Sequence, residues 1–168
     1  MTDSIFELLL HPATMLEGER QLLSVGADSL PALESLLKGE AKNRFGVPYI
    51  QLGLPLQCAL EVAKRLGPVA KPLEPHLREQ LRRGNFTAAA ALGSLGSLEQ
   101  DSIIQLAVSL ESRGVDLVME SAMALLVCGE ADHPAVLEVV ARSKAAARML
   151  EKARQYHNRV KTNATPDS

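Results

Sequence analysis

The side chains that could carry catalysis or bind a metal are few in this sequence and are spread along it. His11 and His133 each precede a proline, His157 lies near the C-terminus, and His76 lies within a helical pattern. His76 and Glu79 share a helix face at a spacing of three residues, which could supply half of a metal site or form an ordinary surface pair. We favour the surface pair. With no phosphate-binding glycine loop or Gly-x-Ser-x-Gly motif either, we predict no catalytic, cofactor-binding or metal-binding residue.

The two cysteines, Cys58 and Cys128, lie far apart within apolar helical patterns. A disulfide framework would need more cysteines in so small a domain, and a zinc site would need neighbouring ligands. We therefore expect free, buried thiols in a reducing compartment. The first ten residues include Asp3 and Glu7 but no basic segment, and no apolar run approaches the roughly 20 residues that span a bilayer. These features favour a cytoplasmic protein.

The most distinctive candidate for partner binding is a long stretch at residues 39–55, here called the insertion. It contains Phe45 and Tyr49, two of the five aromatic residues of the chain, next to Arg44. Exposed aromatic and arginine side chains often anchor protein interfaces. Phe45 and Tyr49 could instead pack under the insertion as a small satellite core. The sequence leaves these two alternatives open.

Charge is the second candidate feature, because it is distributed unevenly. Residues 98–141 contain eight acidic residues and one basic residue (net −7), whereas residues 142–161 contain seven basic residues and one acidic residue (net +6). An acidic face would favour a basic partner and speed association with it. Alternatively, the basic final helix could lie against the acidic repeats before it. The acidic residues that we predict to contact a partner are Glu99, Asp101, Glu111, Asp116 and Glu120.

The composition predicts the elements that must position these residues. Leu and Ala supply 50 of the 168 residues, and there is no Trp. Both residue types favour helices, whereas strands favour β-branched and aromatic side chains, so we predict an all-α fold. A chain of this length is typical of a single domain. The net charge of −2 and pI of about 6.1 argue against a nucleic-acid partner.

A repeated unit of helix, glycine turn and helix organises the chain. Four segments of small and apolar residues end in a glycine, which tolerates the left-handed conformation found after helices. A second helical pattern follows each of them. Pro72 and Pro75 predict a kink or a late helix start near residues 71–74. The closing glycines are Gly26, Gly67, Gly96 and Gly129, and the second helices are expected at 28–37, 69–81, 99–110 and 132–140.

Two of these segments resemble HEAT repeats. The run LPALESLLK at residues 30–38, preceded by Gly-Ala-Asp, is similar to a second HEAT helix. The run ALEVAKRLGPVAKPL at residues 59–73 is similar to a first helix, turn and second helix. The similarity covers about residues 12–140, and the short repeat spacing is closest to the HEAT-like repeats of bilin lyases. The resemblance implies an α–α superhelix, that is, a HEAT-like solenoid of about four helix pairs.

The chain lacks the His-Glu dipeptides of di-iron hydroxylases built from such repeats, so the resemblance does not extend to that activity. Helical-repeat proteins usually bind other proteins. We expect a non-enzymatic interaction module, most specifically a bacterial immunity protein that inhibits a basic toxin or nuclease, with no membrane binding. The alternatives are a generic scaffold or a bilin-lyase-like enzyme, for which His76, Glu79, Arg44 and Tyr49 would be the candidates. The expected domain spans residues 1–157, with repeats at about 12–38, 48–83, 85–113 and 115–142, a capping helix at 143–157 and a polar tail at 158–168.

Overall fold

The structure, a computed structural model, describes residues 2–163 and is all-helical, as the composition predicts. Within residues 2–163 there is no β-strand, and the closest approach to one is an isolated antiparallel bridge between Lys42 and Pro48. The α-helices are α1 (Thr2–Leu8), α2 (Met15–Ser24), α3 (Leu30–Lys38), α4 (Leu54–Leu66), α5 (Glu74–Arg82), α6 (Phe86–Ser94), α7 (Gln100–Ser109), α8 (Val115–Val127), α9 (Pro134–Arg142) and α10 (Lys144–Asn163).

The helices form one compact domain in which alternate helices are neighbours. Helices α2, α4, α6, α8 and α10 each contact the next in this series, and α3, α5, α7 and α9 form a second series in the same way. Consecutive helices, such as α5 with α6 and α7 with α8, also pack together. Their apolar faces meet in one continuous core of Leu, Ala and Val side chains. No single helix pair could bury these faces by itself.

The turns between paired helices form as the sequence predicts. All four closing glycines have positive φ angles, between 57° at Gly26 and 80° at Gly96. Between α4 and α5, residues Gly67–Leu73 form a 3-10 helix that contains Pro72, and the α-helix starts only at Glu74. The predicted late start is therefore confirmed. It has the expected cause, because a proline cannot donate the backbone hydrogen bond of a regular helix interior.

The basic final helix lies against the domain. Helix α10 contacts both α8 and α9, burying Ala146, Leu150 and Ala153. It continues to Asn163, beyond the expected end at residue 157, because no proline or glycine interrupts the sequence there. The rest of the expected tail, residues 164–168, lies outside the described residues. Among the described helices, none is both long and apolar enough to cross a membrane.

Candidate interaction site

The insertion folds as a tight, internally bonded loop. The side-chain oxygen of Asn43 accepts hydrogen bonds from the backbone N–H groups of Phe45 and Val47, at 2.9 and 3.0 Å. The backbone N–H of Asn43 in turn donates to the carbonyl of Val47 at 2.9 Å. Gly46 completes the turn with a φ of 77°, which an L-residue rarely adopts. The backbone at the tip of the insertion is therefore held in one conformation.

Tyr49 fixes the base of the insertion to the first helix. Its side chain is 1% exposed, its ring lies 5.2 Å from that of Phe6, and its hydroxyl donates to the Glu7 carboxylate at 2.7 Å. Tyr49 therefore packs under the insertion as part of a small core, which is one of the two alternatives that the sequence left open. Although Tyr49 was a candidate for partner contact, its ring is covered by α1 and does not reach the surface.

Phe45, unlike Tyr49, is exposed to solvent. It is 74% exposed, more than any other large apolar side chain among the described residues. The guanidinium carbon of Arg44 lies 4.7 Å from the centre of the Phe45 ring, within the range of a cation–π contact. The fixed loop therefore presents an aromatic ring and a cation together, facing solvent.

An open cavity of about 880 Å³ lies beside the insertion. Apolar side chains from α3, the insertion and α4 line part of it, and the turn between α5 and α6 lines the remainder. Gln80 lines the cavity, and the residue as a whole is 3% exposed. The lining residues are Leu37, Lys38, Gly39, Pro48, Ile50, Gln51, Leu56, Gln80, Arg83, Gly84 and Asn85.

The predicted acidic residues lie at the start of α7, just after its end, and on the first turns of α8. Glu99 and Asp101 lie at the start of α7, whereas Glu111 follows its end, and a ten-residue helix is about 15 Å long. Asp116 lies in the first turn of α8, near the Glu111 end, because α8 runs back along α7. Glu120 lies one helical turn further along α8. Glu99 and Asp101 are therefore separated from Glu111 by about the length of α7.

Two of these acidic residues are neutralised by arginines of the same chain. Glu99 pairs with Arg78 at 2.9 Å, and Glu111 pairs with Arg142 at 2.7 Å. The hydrogen bond from Arg142 is the main cause that holds the pKa of Glu111 below its usual value of 4.5. Asp101, Asp116 and Glu120 form no ion pair with another described residue.

The histidine–glutamate pair does not assemble into a metal site. His76 lies 3.3 Å from the carboxylate of Glu34 on α3, whereas Glu79 accepts hydrogen bonds from Arg82 and Arg83. Over the range 2–163, no cluster of three or more His, Cys, Asp and Glu side chains could hold a metal ion.

Both cysteines are free thiols, as expected from their spacing. Cys58 is buried between α2 and α4, and burial, followed by a hydrogen bond with Glu19, raises the pKa of its thiol to about 12. Cys128 is partly buried at the end of α8, where burial also raises its pKa. Thiols with raised pKa values are poor nucleophiles near neutral pH.

Three side chains of the cavity were not singled out from the sequence. Lys38 and Arg83 lie at the ends of separate helices, and Gln80 lies within α5, whose sequence contains no functional motif. No short motif joins them, because residues 38 and 80 meet only through helix packing. Comparison of the chain with protein-family models, curated proteins and solved structures found no match.

Proposed function

We propose that this chain is a non-enzymatic protein–protein interaction module built as a short HEAT-like solenoid. The alternation of helices between two contacting series supports this architecture, since stacked helical hairpins produce that pattern. In such a solenoid an insertion between repeats lies at one edge, where it can meet a partner. The proposal includes no catalytic step and no cofactor.

The observation that carries the proposal is the exposed Arg44–Phe45 pair on a fixed loop. An aromatic ring that is 74% exposed has a hydrophobic cost in water that binding would remove. Because Asn43 and Tyr49 already hold the loop, little conformational entropy is lost when a partner docks. A preorganised aromatic–cation pair is therefore well suited to anchor an interface.

Affinity purification of the tagged chain from its native host tests this proposal. The unchanged chain should retain one stoichiometric protein partner, and Phe45→Ala should release it. Tyr156→Ala is the matched control, because it removes another exposed aromatic ring from a distant helix, α10. Retention of the partner by Phe45→Ala, or equal release by both variants, would contradict the role of the loop. Melting curves of both variants establish that they remain folded.

A more specific form of the proposal is an immunity-type inhibitor of a basic toxin or nuclease. Asp101, Asp116 and Glu120 support it, because no ion pair within the described chain neutralises these carboxylates. Nucleases carry basic surfaces that bind phosphate, and such surfaces attract carboxylates. A single partner in a 1:1 complex would favour an inhibitor, whereas several partners would favour a scaffold.

The electrostatic part of this form is tested by kinetics. Asp101→Asn and Asp116→Asn should slow association with the partner and weaken its dependence on salt. Glu17→Gln is the control, because Glu17 lies on the distant α2 and is already paired with Arg20. Association rates that are indifferent to salt and to all three substitutions would remove the basic partner from the proposal.

A further inference from the structure

We propose that the exposed side of α10, together with a recess between α8 and α10, binds single-stranded nucleic acid. The recess takes one base, and lysines and arginines of α10 contact the phosphates. This surface is separate from the insertion, so the inference goes beyond the proposed function and does not depend on it. It rests on the cations of α10, on the lining of the recess and on the burial of the apolar face of α10.

Four cations form a row along the exposed side of α10, here called the basic row. Their spacings of four, four and seven residues place them on one side of the helix, over a length of about 22 Å. All four side chains are exposed, and none forms an ion pair with another described residue. The members of the row are Lys144, Arg148, Lys152 and Arg159. The row therefore carries four charges that no acidic side chain of the described chain neutralises.

The net charge of the whole chain does not describe this surface. The chain carries a net charge of −2, but residues 142–161 alone carry +6. Helix α10 packs against α8 and α9, and Asp132, which precedes α9, lies 4.0 Å from Arg154 of α10. Arg154 is not a member of the basic row, so the packing of α10 on the domain leaves the charge of the row in place. A positively charged groove or stripe is the feature by which proteins follow a phosphate backbone.

A recess of about 420 Å³ lies between α8 and α10 beside the basic row. Met119 and Met123 of α8 lie one helical turn apart in its lining, and both pack against the core. The ring of Tyr156 on α10 also lines the recess and is 56% exposed. Exposed aromatic rings stack on the bases of single strands, and methionine sulfur makes favourable contacts with aromatic rings. The apolar part of the lining therefore suits a planar base.

Three charged side chains complete the lining, and they are divided between the two helices. Lys152 and Arg159 belong to the basic row on α10, whereas Glu120 lies on α8. No ion pair joins Glu120 to either cation within the described structure, and Arg159 donates one hydrogen bond, to the backbone carbonyl of Gln155 at 3.4 Å. A nucleotide has complementary groups, because its phosphate is an anion and the amino group of a base such as cytosine donates to a carboxylate.

The burial of α10 distinguishes nucleic acid from a membrane surface as the partner. A helix that lies in a membrane interface buries its own apolar face in lipid. The apolar face of α10, with Ala146, Leu150 and Ala153, is already buried against the domain. The basic row also continues for two helical turns beyond Lys152, to Lys144. A strand with a phosphate at every nucleotide matches this row better than a single anion does.

Fluorescence anisotropy with a labelled oligodeoxycytidine tests the inference on the full chain. A strand of about 12 nucleotides is within the range of single-strand binding sites. It should bind with a Kd below about 100 µM at low salt, and four phosphate contacts should give a slope of about −2.8 for log K against log salt concentration. No binding at about 100 µM protein, or a slope near zero, would overturn the inference.

Substitutions of Tyr156 test the recess. Tyr156→Ala should weaken oligonucleotide binding at least about fivefold, whereas Tyr156→Phe keeps the stacking ring and should change it less than about twofold. Phe86→Ala is the matched control, because it removes another exposed ring, on α6, that does not line the recess. Unchanged binding by Tyr156→Ala, or equal losses in Tyr156→Ala and Phe86→Ala, would contradict the role of the recess. Melting curves establish that each variant remains folded.

Substitutions of cations test the basic row. Lys152→Gln should reduce the steepness of the salt dependence by about 0.7, since one phosphate contact is lost. Arg154→Gln is the control, because Arg154 lies on the same helix but outside the row and is paired with Glu151 and Asp132. Equal effects of the two substitutions would show that overall charge, rather than the row, attracts the strand.

Competition experiments identify the kind of anion. Cytidine monophosphate and a poly-glutamate peptide with the same number of charges as the oligonucleotide should each compete at least about tenfold more weakly than unlabelled oligonucleotide. Equal competition by the peptide would show that an acidic protein serves as well as a strand. Equal competition by the mononucleotide would show that the basic row adds nothing to the recess. Either result would overturn the inference.

Failure of this inference is distinguishable from failure of the proposed function. If Phe45→Ala releases the natural protein partner but the unchanged chain does not bind the oligonucleotide, the interaction function stands and this inference is wrong. If the oligonucleotide binds as expected but Phe45→Ala retains the protein partner, the basic row stands and the role of the insertion is wrong.

Discussion

Glu74 provides the sharpest test of how the helices are held together. Its side chain is 0% exposed at the start of α5, and one oxygen accepts a hydrogen bond from the backbone N–H of Glu99 at 2.7 Å. The ammonium of Lys71 lies 2.5 Å from the other oxygen, as an ion pair without the geometry of a directed hydrogen bond. Lys71 also donates to the carbonyl of Ser97. The carboxylate thus joins α5 to the turn before α7.

Replacing Glu74 with alanine should lower the free energy of unfolding by about 3 kcal/mol. The loss of a hydrogen bond to a charged group costs roughly 1.5–3 kcal/mol. Two methylene groups leave the core, at about 0.8 kcal/mol each, and the better helix propensity of alanine offsets only a few tenths of a kcal/mol. Glu74→Gln keeps an acceptor and the shape of the side chain, so it should cost about 1 kcal/mol.

Glu61 supplies a control with the same residue types and the same spacing of three. It pairs with Lys64 at 2.7 Å, but its side chain is 33% exposed. Such pairs contribute little in water, so Glu61→Ala should cost at most about 0.5 kcal/mol.

Urea unfolding followed by circular dichroism measures all three variants, provided that the transition is two-state. For a chain of this size, Glu74→Ala should lower Tm by about 6–12 °C, at about 2–4 °C per kcal/mol. If Glu74→Ala costs no more than Glu61→Ala, burial of the carboxylate is not what stabilises this junction, and the reasoning is refuted.

Three further predictions concern packing, the thiols and pH. Gly93→Val should destabilise the protein by about 1–3 kcal/mol in the same urea assay. The reason is that a Cβ at Gly93 would lie 2.9 Å from the Cα of Ala124, across the contact between α6 and α8. Unchanged stability would show that these two helices can move apart. The Cys58 thiol, with a pKa of about 12, should react with a disulfide reagent at least about a hundredfold more slowly in the folded protein than in urea; equal rates would show that the site opens freely. Arg142→Gln should raise the pKa of Glu111 toward 4.5 in an NMR titration, because the ion pair with Arg142 lowers that pKa. The stabilising effect of the ion pair is complete near neutral pH and is lost as pH falls through the folded-state pKa of Glu111. An unshifted titration would show that the pair does not form in solution.

Much of the local structure was predictable because its causes are local. A glycine is favoured wherever the backbone takes a positive φ after a helix, as it does at Gly26, Gly67, Gly96 and Gly129. Pro72 delays the start of α5 through its own missing N–H group. These signals need no knowledge of the surrounding fold, and they were confirmed by the structure.

The candidate site was predictable only in part. The sequence indicated the insertion, but it could not separate Phe45 from Tyr49, because both are aromatic residues in one polar loop. What separates them is α1, which supplies Phe6 and Glu7 to cover Tyr49 and leaves Phe45 in solvent. The run of acidic residues gave a similar difficulty. Arg78 and Arg142, distant in sequence, neutralise Glu99 and Glu111.

The sequence by itself therefore determined that this chain is helical and where its main turns lie, since backbone propensity and turn chemistry act over a few residues. Only the tertiary structure decided which side chains face solvent and which meet one another. Lys38, Gln80 and Arg83 line one cavity because α3 packs beside α5. No residue near any of them in the sequence specifies that contact. Burial and pairing are properties of the packed helices, and the proposed binding site depends on both.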